Sequence, residues 1–357
     1  MLRHFSSPGA VMCFGVRIGA PWIAWVAAVV LSGCAAIDGA TRDSGAPAFV
    51  YSPYKYVPIA LRRDSLAIAT DGAALPVVSD GRSTLPDGVP ALTLAFATGE
   101  CGQEAWEGID TDRLVGNLRA LARAGVRYIV STGGAGAAFT CQTAEGMDAF
   151  IARYATPALI GFDFDIENGQ AEATIVSLVA RIREAQRRHP HLRFSFTLPT
   201  WAGDYGSMTS LNEDGERVMR AVREAQLTDY YVNLMVMNYG DALPRNCVVK
   251  DGRCDMGKSA VQAARNFNAV YGVPFGRMEL TPMIGVNDVT ANVFTLDDAV
   301  TLAQFVRNEG LAGVHFWSLD RDGSCDGDAA VVSATCSGLR GLAPLAFTRT
   351  FRDALAR

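Results

Sequence analysis

A chain of 357 residues with 49% hydrophobic and 19% charged residues has room for one large domain or two ordinary ones, and it is not a disordered polymer. Its formal charge is −5 and it has only three lysines (Lys55, Lys250 and Lys258), so it offers no basic stripe to nucleic acid. The sequence implies no cofactor.

The first element is an apolar run, "IGAPWIAWVAAVVLSGC", which follows Arg3 and Arg17 and carries no charge between Ile18 and Cys34. It is shorter than the roughly 20 residues of a membrane-spanning helix and ends in small residues, as an export signal does. Its end, Leu31-Ser32-Gly33-Cys34, resembles a bacterial lipobox, which implies removal of residues 1–33 and acylation of Cys34. Ala35 in the next position implies the outer membrane rather than the inner one. Loss of the leader takes away two arginines and no acid, so the mature chain is two units more negative. Residues 34–47, small and polar, read as a tether, and residues 48–357 as the folded domain. Apart from Cys13 in the leader and Cys34, six cysteines remain: 101, 141, 247, 254, 325 and 336. An even set in an exported chain predicts disulfides, and the pairs 247–254 and 325–336 are close enough to staple single loops. With no C-x-x-C and no histidine nearby, zinc is the weaker reading and no metal is expected.

Beyond the tether, eight short apolar runs recur in order: 49–52, 91–98, 127–134, 159–167, 193–200, 231–239, 277–285 and 313–320. Stretches of helical period lie between most of them, such as "TDRLVGNLRALARAG", "EATIVSLVARIREAQRRH" and "LDDAVTLAQFVRNEG". Strands apolar on both faces that alternate with helices predict a parallel sheet. Eight such units predict an α/β fold, a single-domain (β/α)8 TIM barrel. A doubly wound nucleotide-binding sheet is the rival, but "GGAGAAF" after the third run lacks the third small residue of its phosphate turn.

The fourth run contains "GFDFDIENGQ", with Asp163, Asp165 and Glu167 at every second position. On a strand these three share one face, while Phe162, Phe164 and Ile166 pack outward. Barrel chemistry sits at the C-terminal strand ends, so Glu167 reaches the mouth and Asp163 stays deep. Stacked carboxylates raise one another's pKa, as a general acid requires. A ladder satisfied by arginine or backbone is the bland alternative. An EF-hand loop does not fit, because a count from Asp163 puts Asn168 where glycine belongs and Thr174 where glutamate belongs.

Asp163-Phe-Asp165-Ile-Glu167 resembles the D-x-D-x-E end of the family 18 glycoside hydrolase signature, that of the chitinases. Ser131-Thr-Gly133-Gly134 resembles the S-x-G-G of the third strand, Met237-Asn238-Tyr239 the M-x-Y of the sixth, and Trp317 the tryptophan of the eighth. "LAFATGECGQEAW" and "TPMIGVNDV" are similar to the bacterial and archaeal branch with shortened barrels. Two positions depart from the pattern: Ile160 stands at the first Asp, where its parity aims it at the helix layer, and Gly240 follows Tyr239 where many members carry Asp.

The resemblance implies hydrolysis of β-1,4-linked N-acetylglucosamine polymers by a retaining, substrate-assisted route, an exception to the two-carboxylate scheme. By the same resemblance Glu167 is general acid and base, and Asp165 holds the acetamido N–H. Asp163 shares a proton or hydrogen bond with Asp165, Tyr239 bonds the acetamido carbonyl, and Trp317 floors the sugar. Asn238, Met237 and Ser131 belong to the same motifs. Trp106, Tyr51, Tyr54, Trp201, Met283 and Asn287 fall at or just beyond strand ends and are candidates for further sugar subsites. The expected partners are chitin or its oligosaccharides and, through the lipidated N-terminus, a membrane; a monomer is expected, in the cell envelope as an outer-membrane lipoprotein or secreted. An endo-β-N-acetylglucosaminidase and a non-catalytic sugar-binding protein on the same fold remain as alternatives.

Overall fold

Each of the eight apolar runs contributes a strand to the computed structural model, which describes residues 49–61, 65–69, 74–167, 169–203, 210–325 and 332–356. The expected leader (1–33), Cys34 and the tether (34–47) lie outside the described residues. Strand β1 is in two pieces, Val50–Tyr51 and Tyr54–Tyr56, followed by β2 (Ala91–Ala97), β3 (Arg127–Gly133) and β4 (Leu159–Asp165). Then come β5 (Arg193–Pro199), β6 (Tyr231–Met235), β7 (Met278–Thr281) and β8 (Gly313–Val314). All neighbours pair in parallel. The first piece of β1 pairs with β8 and the second with β2, so the sheet closes into a barrel. Pro53, which has no N–H to give a ladder, sits at the break between the pieces.

Seven helices follow the strands from β2 onward: α1 (Thr111–Arg123), α2 (Ala144–Tyr154), α3 (Glu172–Arg188), α4 (Glu213–Glu224), α5 (Met256–Tyr271), α6 (Leu296–Glu309) and α7 (Ala346–Ala356). The starts of α1, α2, α4, α5 and α6 are capped by short polar side chains, for example Asp110 on α1 and the reciprocal Thr295–Asp298 box on α6, whereas α3 starts after Ala171 with no side-chain cap. The outward residues of β4 pack as their parity predicts. Phe162 lies against Phe150 of α2 with ring centroids 4.8 Å apart, and Phe164 stacks on Phe194 of β5. Among the described residues no helix is long and apolar enough to cross a membrane.

The N-terminal end of the barrel interior is apolar across the first four strands, where Val50, Ala91, Ile129 and Ile160 form a buried cluster of their own. This corrects the outward reading of Ile160. A β-bulge between Leu159 and Gly161 shifts the register and turns Ile160 in with its neighbours. Gly161 beside it has no room for a side chain, since a Cβ there would lie 1.8 Å from the Arg193 carbonyl oxygen. Across β5, β7 and β8 the same end is filled by a buried ion pair. Arg193 Nε donates to Glu279 Oε1 at 2.7 Å, and His315 Nε2 lies 3.3 Å from Glu279 Oε2. Burial works to raise the Glu279 pKa, but Arg193 and His315 outweigh it and hold the carboxyl at about 2.

Three disulfides form: 247–254 and 325–336, each within one loop, and 101–141, which joins the loops after β2 and β3. Among the described residues one cluster, Glu100 with Cys101 and Cys141, brings metal-type donors together. Its sulfurs are oxidised to each other and offer no thiolate.

Candidate active site

The acid ladder starts deep. Asp163 is buried inside the barrel, and four hydroxyls surround its two oxygens. Tyr54 (2.8 Å) and Ser131 (2.6 Å) donate to Oδ2, while Ser195 (2.8 Å) and Thr197 (2.7 Å) donate to Oδ1. An ionised carboxylate is acceptor-only with about four lone-pair sites, so this donor set matches the charged form. Burial raises the Asp163 pKa and the hydroxyls oppose that rise. Asn233 of β6 fastens the network by donating to Thr197 at 2.9 Å and to Tyr54 at 3.1 Å, and it accepts Thr281 at 2.8 Å.

Asp165, one step up the strand, is differently placed. It is buried, faces the cavity and is hydrogen-bonded to Glu167. Among the described residues its Oδ1 has no hydrogen-bond partner. Burial raises its pKa well above the ordinary carboxylate value, and the charges of Glu167 and Asp163 push the same way. Asp163 therefore acts on Asp165 through its charge; its own oxygens are occupied by hydroxyls, so the expected direct hydrogen bond is replaced by an electrostatic contact.

Glu167 stands two residues past the end of β4. Ile166 N still reaches Thr197 O at 3.1 Å, and Gly169 N is tied to Asp214 Oδ2 at 3.0 Å, so the turn carrying Glu167 is held on both sides. The Glu167 pKa is pushed up to about 7, chiefly by burial; the hydrogen bond from Asp165 opposes this, and the charges of Asp288 and Asp214 add to it. The result is a coupled pair of carboxyls that retains protons toward neutral pH, with Glu167 poised near 7, in the range a general acid needs.

These groups open on a cavity of about 410 Å³ at the C-terminal strand ends. Trp317 forms part of its wall, stacked on Phe96 with centroids 5.5 Å apart and flanked by Tyr54 and Tyr56. Its peptide bond to Ser318 is cis, as is Ala95–Phe96. Met237, Asn238 and Trp201 also line the cavity, with Trp201 exposed at the mouth.

Other expected contacts fall elsewhere. Ser131 is fully buried on Asp163 and does not line the cavity. Trp106 is a core residue that donates to the Tyr154 hydroxyl of α2 at 2.8 Å. Being just beyond a strand end left its direction open, and here it points into the helix layer. Met283 and Asn287 are buried behind the wall, where the Asn287 amide donates to the carbonyls of Met283 and Gly285. Tyr51 donates to the Thr348 carbonyl of α7. Tyr239 does not line the cavity either. It is buried, and among the described residues its hydroxyl has no hydrogen-bond partner.

Sequence reasoning missed Thr197, Asn233, Thr281, Phe96, Asp214 and Asp288. The first three had a readable signal. Arg193-Ser195-Thr197, Asn233 and Glu279-Thr281 are polar residues at period two inside apolar runs, as the acids are. Asp214 and Asp288 come from a helix start and a loop, and no local pattern marks them.

No family model matches the chain. It is 28% identical over 224 residues to a probable bifunctional chitinase/lysozyme of Escherichia coli strain K12, covering 57% of this chain and 24% of that one. It is 26% identical over 279 residues to endochitinase 11 of Metarhizium anisopliae, covering 69% of this chain and 52% of that one. The chain thus spans about a quarter and about half the length of these two curated relatives. The catalytic domain of a hyperthermophilic chitinase from Pyrococcus furiosus superposes with a TM-score of 0.65 at 24% identity, covering 87% of this chain and 97% of that one. A family 18 chitinase from Chromobacterium violaceum gives 0.54 at 14% identity, covering 87% of this chain and 84% of that one. The architecture is therefore the (β/α)8 barrel found in family 18 chitinases.

Proposed function

We propose that the chain is a glycoside hydrolase of the chitinase type, cleaving β-1,4-linked N-acetylglucosamine polymers with retention of configuration. The observation that carries this reading is an unpaired buried acceptor on the cavity wall: among the described residues Asp165 Oδ1 has no donor. Leaving such a group unmade costs about 1–3 kcal/mol. The N–H of an acetamido group in the cavity answers it beside Glu167, and so holds the nucleophile that the substrate itself carries. The Tyr239 hydroxyl, a buried donor without an acceptor among the described residues, lies off the cavity and meets the acetamido C=O only if the wall shifts on binding.

In this reading Glu167 gives its proton to the leaving oxygen as the acetamido oxygen closes on the anomeric carbon. The C–O bond breaks, an oxazolinium ring forms, and its positive charge lies against Asp165. Glu167, now a base, takes a proton from water, which opens the ring from the face the leaving group left. Asp163, with its four hydroxyls, supplies fixed negative charge beneath. Trp317 offers a flat apolar face to the sugar. Similarity to a probable chitinase/lysozyme and to an endochitinase supports the substrate class. The test is release of chromophore from a chitobioside, with the anomer of the first-formed product read by NMR. Initial β-anomer supports retention, and absence of hydrolysis with binding intact favours a sugar-binding protein.

We also propose that the mature protein is a lipoprotein of the cell envelope, acylated on Cys34. The lipobox and the apolar run before it support this, and three disulfides suit an oxidising compartment. Cys34→Ser is expected to leave the protein unprocessed or soluble. Unchanged membrane partition together with an unchanged mass of the mature N-terminus would count against the anchor.

A further inference from the structure

A third carboxylate reaches the cavity from a part of the barrel remote from the ladder. Asp288 lies in the loop after β7 and lines the cavity with Asp165 and Glu167. Its Oδ2 accepts Asn238 Nδ2 at 3.0 Å, and among the described residues its other oxygen makes no hydrogen bond. Asn238 is itself fixed on both sides. Its backbone N–H donates to Asn287 Oδ1 at 3.2 Å, and its Oδ1 accepts Val289 N at 3.0 Å. It does this in the left-handed region, at φ 53°, which asparagine tolerates better than most residues. Three consecutive residues after β7 thus clasp one residue after β6.

The chemistry of the clasp is specific. An amide donor orients a carboxylate without cancelling its charge, whereas lysine or arginine would neutralise it. No lysine or arginine lines the cavity among the described residues. The groups that face Glu167 can be named from every element around it. Asp165 on its own strand is hydrogen-bonded to it, and Asp214 of α4 is bound to Gly169 N and to Arg217. Asp163 lies deeper and acts on Asp165. Asp288 approaches from the β7 side, where Arg321 is its cationic neighbour but spends its head group on the carbonyls of Ile284 and Val286.

Building on the hydrolase reading above, we propose that Asp288, held by Asn238, is a positioning residue for the reaction: its charge, held by an amide and only partly offset by Arg321, keeps the proton on Glu167 until the leaving oxygen takes it. Burial is the larger influence on Glu167, and Asp288 is the first of the neighbouring charges that raise it. Because Asp288 is exposed at the cavity rim, its influence is screened by salt and is strongest at low ionic strength.

The test is the alkaline limb of the kcat/KM profile at low salt in wild type, Asp288→Asn, Asn238→Asp and the double variant. Asp288→Asn is expected to move the limb to lower pH by about half a unit or more. Asn238→Asp adds a second carboxylate and moves it up. The double variant exchanges amide and carboxylate and brings the limb back toward wild type. A merely structural clasp would scale the rate at every pH and leave the limb where it was. Titration of the labelled Glu167 carboxyl by NMR in the same unliganded proteins repeats the measurement without substrate. If wild type proves inactive, the hydrolase reading fails while the titration still decides this one. An unmoved Glu167 midpoint in Asp288→Asn overturns the proposal.

Discussion

Glu167→Gln is expected to remove nearly all hydrolysis, by on the order of 10²–10⁴ in kcat, with oligosaccharide binding retained. The amide keeps the shape of the side chain and its place in the cavity wall but has no proton to transfer. The same substitution has a second, opposite signature. In the folded protein the Glu167 pKa is raised to about 7, so folding is undisturbed by this group below its ordinary value near 4.5. Stability is then lost as pH rises through 7, because the half-buried carboxyl must ionise among other acids. For a shift of this size the loss is on the order of 3 kcal/mol. Glutamine does not titrate, so the variant should match wild type in Tm at pH 4 and exceed it at pH 8. Activity within a few-fold of wild type would remove Glu167 from the mechanism. A variant no more stable than wild type at pH 8 would remove the raised pKa.

That one side chain both loads the reaction and weakens the fold explains why the ladder was legible in sequence at all. Three acids at period two, two inside and one just beyond a strand otherwise made of phenylalanine, isoleucine, leucine and glycine, contradict what a buried strand should contain, and such contradictions mark sites. The barrel was legible for a related reason: its strands are apolar on both faces and its helices keep their own period between them. What surrounds the ladder was legible only in part. The Tyr54 hydroxyl on Asp163 spans 109 positions, and Asn233 reaches the same network from β6. Their polarity shows in sequence, but the barrel closure that brings them together does not. Direction past a strand end was the least legible feature. Period two stops with the strand, so Trp106 turned into the helix layer and Asn287 behind the wall, while Ile160 was turned inward by a bulge. Asp214 and Asp288 act on Glu167 from a helix start and a loop, where no period exists to read.

Asp165→Asn is expected to lower kcat by on the order of 10²-fold or more while KM moves only a few-fold. The reason lies in when its charge is needed. In the resting site Asp165 shares a proton with Glu167, and its Oδ1 waits for a donor. Asparagine still fits the space and still offers an oxygen to the acetamido N–H, so binding survives. As the ring closes, positive charge develops on that nitrogen, and a neutral amide stabilises it far less than a carboxylate resting on the charge of Asp163. An interaction made mainly in the transition state is lost from kcat and not from KM. Two substrates extend the test. Oligomers with glucosamine at the reacting unit have no acetamido oxygen and should be inert, and a thiazoline analogue of the closed ring should inhibit wild type and bind Asp165→Asn more weakly. The rival route needs a protein carboxylate as nucleophile, and among the described residues Asp288, fastened by Asn238, is the other carboxylate lining the cavity. A trapped glycosyl ester on Asp288, or efficient cleavage of deacetylated oligomers, would transfer the nucleophile from the sugar to the protein. It would also leave Asp165 Oδ1 without the partner that accounts for it.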